Sequence, residues 1–209
     1  MRREFRDRVE AGDELAPLVV ALGLADPVVL GLPRGGVPVA ARLALALGAP
    51  LDVIVVRKVG VPSQPELAMG AVGEGGATVV NDDVMMSTWV SRADFERVAA
   101  RERAELERRV VALRAVRPRE PLAGRAAVLV DDGIATGATM RAAIGVARAN
   151  DASTVVIATP VAPPEVVQSL SREADEVVCI IQPEPFFAVG TWYTRFEAVP
   201  EEEVLHLLA

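Results

Sequence analysis

Residues 128–139, VLVDDGIATGAT, decide how this chain is read. An apolar run ends in two adjacent carboxylates, Asp131 and Asp132, and a short turn follows. A Thr/Gly-rich segment then leads into the helical pattern TMRAAIGVARA. Helix-start N–H groups carry partial positive charge and attract anions. The peptide groups of residues 135–139 and the hydroxyls of Thr136 and Thr139 are therefore expected to hold a dianionic phosphate, with Gly137 allowing close backbone approach. Two carboxylates a few residues away should repel such a ligand, unless they touch a different part of it.

Working outward, β-rich runs alternate with helical patterns. The runs are 27–32, 51–59, 77–80, 126–132, 153–160 and 175–181, and helices are expected at 37–48, 91–115, 138–150 and 163–172. Continuous apolar strands with helical crossovers predict an α/β fold with a mostly parallel central sheet flanked by helices. Ligands of such sheets bind beyond the carboxyl ends of the strands, which directs attention to residues 33–36, 57–70 and 131–139. Ser91-x-x-Asp94 has the form of a capping box opening the charged helix 91–115, and RPREPLAG (117–124) reads as a linker.

Composition sets the outer bounds. The chain has 209 residues, 51% hydrophobic and 24% charged, which suits one packed domain over 1–209. No apolar run is long enough to span a bilayer, and MRREFRDRVEAGDE lacks the apolar stretch of a signal peptide. A single cysteine, Cys179, leaves no intrachain disulfide and no Cys-based metal site. These features predict a cytoplasmic protein without a membrane partner. Net charge −7 argues against nucleic acid as a partner but leaves room for a small anion bound by local fields. Cys179 is expected to be an inert strand residue and His206 a structural one. Lys58 is the sole lysine beside 21 arginines.

Together, VLVDDGIATGAT resembles the phosphoribosyl-pyrophosphate signature of the type I phosphoribosyltransferases. The resemblance extends over residues 25–200. It implies that Ala135, Thr136, Gly137, Ala138 and Thr139 bind the sugar 5-phosphate, while Asp131 and Asp132 accept hydrogen bonds from the ribose hydroxyls, act in catalysis and help hold a metal. GLPRGG (31–36) resembles the family's pyrophosphate loop, with Arg34, Gly35 and Gly36 as substrate contacts. Arg57 and Lys58 stand where the family has basic residues near the pyrophosphate, and Pro62, Ser63, Gln64 and Pro65 look like its mobile loop. Glu66 admits two readings, a catalytic carboxylate or a surface residue beginning a strand.

Five aromatics, Phe186, Phe187, Trp192, Tyr193 and Phe196, follow the last strand. They form either a hood at 183–200, in which Phe187 and Trp192 stack on a base, or a cluster covering a sheet edge. The resemblance further implies Mg2+ brought with the substrate pyrophosphate, a base as co-substrate, and room for a homodimer. A non-catalytic nucleotide-binding regulator is the alternative, and a sugar-phosphate hydrolase stands third, for want of an activated nucleophile. Two departures stand out. Ala135 occupies a position where hypoxanthine/guanine enzymes carry an aspartate, and the helical stretch 82–117 is an insertion relative to the minimal family core. With these departures, the chain resembles the set of predicted bacterial phosphoribosyltransferases whose substrate is unsettled.

Overall fold

The computed structural model describes residues 4–209. Five parallel strands form the central sheet: β1 (Pro27–Gly31), β2 (Leu51–Val53), β6 (Ala126–Val130), β7 (Thr154–Val161) and β8 (Glu176–Ile181), in the order β2-β1-β6-β7-β8. Alternate residues of these strands point to opposite faces. Val29, Val128, Val130, Val156 and Ala158 pack under α1 (Arg8–Val20) and α2 (Gly36–Leu47). Val28, Leu30, Ala127, Leu129, Val155 and Ile157 face α5 (Ala138–Ala149) and α6 (Pro164–Leu170). Both faces are covered, so the strands are apolar throughout.

The run 51–59 is not one strand. β2 ends at Val53, the chain leaves the central sheet through Ile54 and Val55, and β3 (Val56–Val61) opens a separate antiparallel sheet. That sheet has the order β3-β4-β5, with β4 at Gln64–Gly73 and β5 at Thr78–Val80. Residues 77–80 thus belong here rather than to the central sheet. The expected mobile loop shrinks to a turn at Pro62 and Ser63, because Gln64 and Pro65 already lie in β4.

Helix α5 lies between the two sheets. A Cβ on Gly145 would come within 2.6 Å of Val79, and one on Gly73 within 2.5 Å of Val146. This close packing sets the N-terminus of α5 at the seam between the sheets. Residues 82–117 form α3 (Asp82–Ser87) and α4 (Arg92–Val116). Ser91 caps α4 as its sequence predicts, accepting a hydrogen bond from the Asp94 N–H at 3.1 Å. Phe95, Ala99, Leu106 and Leu113 bury one stripe of α4 with Val59, Val61, Met69 and Val72 of the small sheet. Fully burying Phe95 alone contributes about 1.5–3 kcal/mol.

Arg114 anchors the far end of α4. It bonds Glu74 through Nε at 2.6 Å and Asp52, which is 1% exposed, through a terminal nitrogen at 2.7 Å. Helix α1 has no counterpart among the sequence expectations. Pro17 lies inside it, and its charged start hides the apolar face of Ala11, Leu15, Ala16 and Val19. Helix α7 (Glu201–Leu208) closes the chain by burying Val204 and Leu208.

Candidate active site

Strand β6 ends at Val130 and delivers both aspartates to the rim of the sheet. Asp131 is half-buried, and its carboxylate accepts a hydrogen bond from the Asp132 N–H at 3.0 Å. Burial pushes its pKa well above the usual carboxylate range, and the neighbouring Asp132 adds to the rise. Asp132 is 9% exposed, and burial raises its pKa as well, opposed by Arg8. Arg8, from the first turn of α1, places Nε 2.7 Å from Oδ2 of Asp132. Its guanidinium also donates to the Glu197 carbonyl at 2.8 Å and lies 4.0 Å from the centre of the Phe196 ring. From the other end of the chain, the Tyr193 hydroxyl donates to the Asp132 carbonyl at 2.5 Å. Neither Arg8 nor Tyr193 is marked by any local motif; both reach the site only through tertiary packing.

Beside β6, strand β1 leads into the loop before α2. Its glycines are there for space. Gly35 has ordinary right-handed angles (φ −62°, ψ −33°), so its backbone does not itself require glycine. A Cβ on Gly35 would stand 2.1 Å from Oδ2 of Asp132, and one on Gly36 would stand 2.4 Å from the Val130 carbonyl oxygen. Thus the two strand-end loops pack directly on one another. Arg34 is exposed at the loop tip, after a cis peptide bond between Pro33 and Arg34.

After Asp132, Gly133 and Ile134 turn inward while Ala135 and Thr136 are exposed. Gly137 takes the left-handed conformation (φ 77°) that favours glycine, and α5 starts at Ala138. The Arg141 N–H bonds the Gly137 carbonyl at 2.9 Å, so the amides of the preceding turn are not spent on the helix. Arg141 also donates to the Thr136 carbonyl at 3.1 Å and pairs with Glu173 at 2.9 Å, bracing the loop from outside. Thr139 is exposed on the first turn.

Across the seam, β3 carries Arg57 and Lys58. Lys58, Thr136 and Ala138 together line two open clefts of about 820 and 890 Å³. Arg57 is paired with Glu102 of α4 at 2.6 Å. Glu66 belongs to β4, and its side chain lies outside the described residues. The aromatic segment corrects one expectation. Trp192 is only 6% exposed and packs with Phe5, Ala11, Val161 and Tyr193, so its ring is not presented for stacking. This packing follows the sheet-edge reading. Phe187, at 77% exposure, remains open to solvent.

Residues 12–194 match the model of the phosphoribosyl transferase domain. The chain belongs to the phosphoribosyl transferase family. Among solved structures, TT1426 from Thermus thermophilus is 49% identical with a TM-score of 0.93, covering 98% of this chain and 97% of that one. Among curated proteins, "Putative phosphoribosyl transferase Rv0571c" of Mycobacterium tuberculosis (strain ATCC 25618 / H37Rv) is 52% identical over 204 residues. MT0597 of strain CDC 1551 / Oshkosh matches to the same degree. The alignments span 98% of this phosphoribosyl transferase chain but 46% of those relatives, so it covers about half their length. No helix among the described residues is long and apolar enough to cross a membrane, and none of their carboxylate, His or Cys groupings has three members placed to hold a metal.

Proposed function

We propose that this phosphoribosyltransferase domain, taken as one unit over residues 1–209, binds 5-phosphoribosyl 1-pyrophosphate and transfers its phosphoribose to a nitrogenous base. The new bond joins a ring nitrogen of the base to C1 of the sugar, the C1–O bond to pyrophosphate breaks, and pyrophosphate leaves. One observation carries this reading. An acidic pair, half-buried Asp131 and buried Asp132, and an open helix N-terminus flank one loop between β6 and α5, which supports assigning them to the hydroxyl and phosphate ends of one sugar phosphate.

In this reading the amides around Gly137 and the Thr136 and Thr139 hydroxyls hold the 5-phosphate. Asp131 and Asp132 accept from the 2- and 3-hydroxyls, a task suited to acceptor-only groups, and they favour positive charge developing on the ribose ring. Arg34, with the loop glycines and Lys58, faces the leaving pyrophosphate. Catalysis then rests on orientation and electrostatics. The donor set fits Mg2+ held mainly by substrate oxygens: Asp132 is already committed to Arg8, and Asp131 contributes at most one further carboxylate. When bound, the ion would offset charge on the departing pyrophosphate. A cytoplasmic setting and a homodimer remain compatible with this role.

Ala135, exposed and without a titratable side chain, argues against a 6-oxopurine as the base; the second reading is a regulator that binds the same ligand without turnover. Incubation with phosphoribosyl pyrophosphate, Mg2+ and a panel of purine, pyrimidine and other heterocyclic bases separates the two. Pyrophosphate release with any base supports the transferase. Saturable binding with no release supports the regulator, and absence of binding by the folded protein overturns both.

A further inference from the structure

The cleft of about 820 Å³ has one wall that the minimal fold does not require. Thr136, Ala138, Thr139 and Ala142 of the phosphate loop and α5 form one side, and Arg57 and Lys58 of β3 another. Arg97, Arg101 and Glu102 of α4 complete it. Its lining includes neither aspartate of the acidic pair nor Arg34, Gly35 or Gly36. The space therefore opens from the phosphate loop on the side away from the acidic pair and the Arg34 loop, and meets the proposed pyrophosphate contacts only at Lys58.

Its charge is unlike that of the chain as a whole. Net charge is −7, yet among the described residues four basic side chains and a single carboxylate line the cleft. That carboxylate, Glu102, is taken by Arg57. Helix α4 carries seven arginines. Six have carboxylate partners: Arg92 and Arg103 with Glu96, Arg97 with Asp94, Arg108 and Arg109 with Glu105, and Arg114 with Glu74 and Asp52. Arg101 makes no ion pair among the described residues, and it is one that faces the cleft. Arg97 and Arg101 are four residues apart, hence neighbours on one helix face. Guanidinium forks there suit phosphate oxygens.

We propose that α4 adds a second anion subsite to the phosphate loop, so that the site accepts nucleoside 5′-di- and triphosphates. The first phosphate sits at Thr136–Thr139, and the outer phosphates extend to Arg101 and Arg97. This rests on the phosphate-loop assignment above and adds a ligand class that competes with the sugar phosphate. No covalent step is involved.

The test compares AMP with ATP by calorimetry in EDTA, using the intact protein and an Arg97→Gln/Arg101→Gln variant, with circular dichroism to verify the variant's fold. Both substitutions lie on the exposed side of α4. Wild-type protein is expected to bind ATP at least about tenfold more tightly than AMP, the scale of one charge-assisted hydrogen bond. In the variant that ratio should fall to about two or less. Equal affinities in the wild type, or a ratio that survives both substitutions, overturn the subsite. Displacement of phosphoribosyl pyrophosphate is measured alongside. Failure of that ligand to bind would overturn the proposed function, whereas the ATP-to-AMP ratio reports on the subsite independently.

Discussion

Arg8 and Asp132 are 124 residues apart in sequence and 2.7 Å apart in space, and their side chains are each 12% exposed. Removing one member of a buried pair leaves an uncompensated charge and costs about 3–5 kcal/mol. Arg8→Gln is therefore expected to lower the denaturation midpoint and to weaken sugar-phosphate binding. Arg8→Lys should recover part of both. Adding Asp132→Asn to Arg8→Gln should restore much of the stability while leaving binding impaired. A double-mutant cycle in urea, paired with ligand titration, measures this; additive stability losses would show that the pair is uncoupled.

Asp131 is a carboxylate held against its preference for water. Asp131→Asn removes that desolvation and the repulsion from Asp132 while keeping the shape. The variant is expected to gain about 1–2 kcal/mol and to lose at least tenfold in affinity for phosphoribosyl pyrophosphate. Denaturant melts and calorimetry together check the trade, and a variant that is less stable and binds normally would remove Asp131 from the site.

Gly35→Ala tests the packing of the two loops. Alanine tolerates the backbone angles of Gly35, so the damage comes from its Cβ at 2.1 Å from the Asp132 carboxylate. The carboxylate must swing away from Arg8. Loss of at least tenfold in ligand affinity, with the far-ultraviolet spectrum retained, is the expected result.

Asp7 caps α1, and its carboxyl is pulled from 3.8 to about 2, chiefly by the Glu10 N–H and further by Arg6 and Arg195. A depressed carboxyl stabilises the fold above its unfolded pKa, and that contribution disappears as pH falls from 3.8 through about 2. Asp7→Ala should cost about 1 kcal/mol at neutral pH and should flatten the stability slope inside that acid window. Urea melts at a series of acid pH values give the slope directly.

Burial pushes the Cys179 thiol up to about 11. At about pH 8 only about one thiol in a thousand is ionised. Iodoacetamide should leave Cys179 unmodified in the native protein and label it on addition of denaturant, as read by mass spectrometry.

The central sheet and the strand–loop–helix at β6 and α5 were legible because their signals are local: apolar runs, a double aspartate, a left-handed glycine and a helix start. The split after Val53 was not. An apolar run shows burial but not which sheet buries it, and Val53, Ile54 and Val55 are all buried. Strand β4 was masked by Pro62 and Pro65, which mark a turn but not its length. Trp192 had the chemistry for base stacking, yet Phe5 and Val161 claim its surface. Arg8 and Tyr193 lay beyond reach for another reason. Their roles exist only once distant segments have met.

That meeting also orders events on the ribosome. The backbone and hydroxyl groups assigned to the phosphate lie in the stretch from β6 through α5 and have been made by Ala149, although their brace Glu173 comes later. The sugar end waits for Tyr193, 61 residues after Asp132, which at about 5–20 residues per second is a delay of several seconds. On the proposed assignment, the two ends of the ligand fall to segments of the molecule that are synthesised at different times.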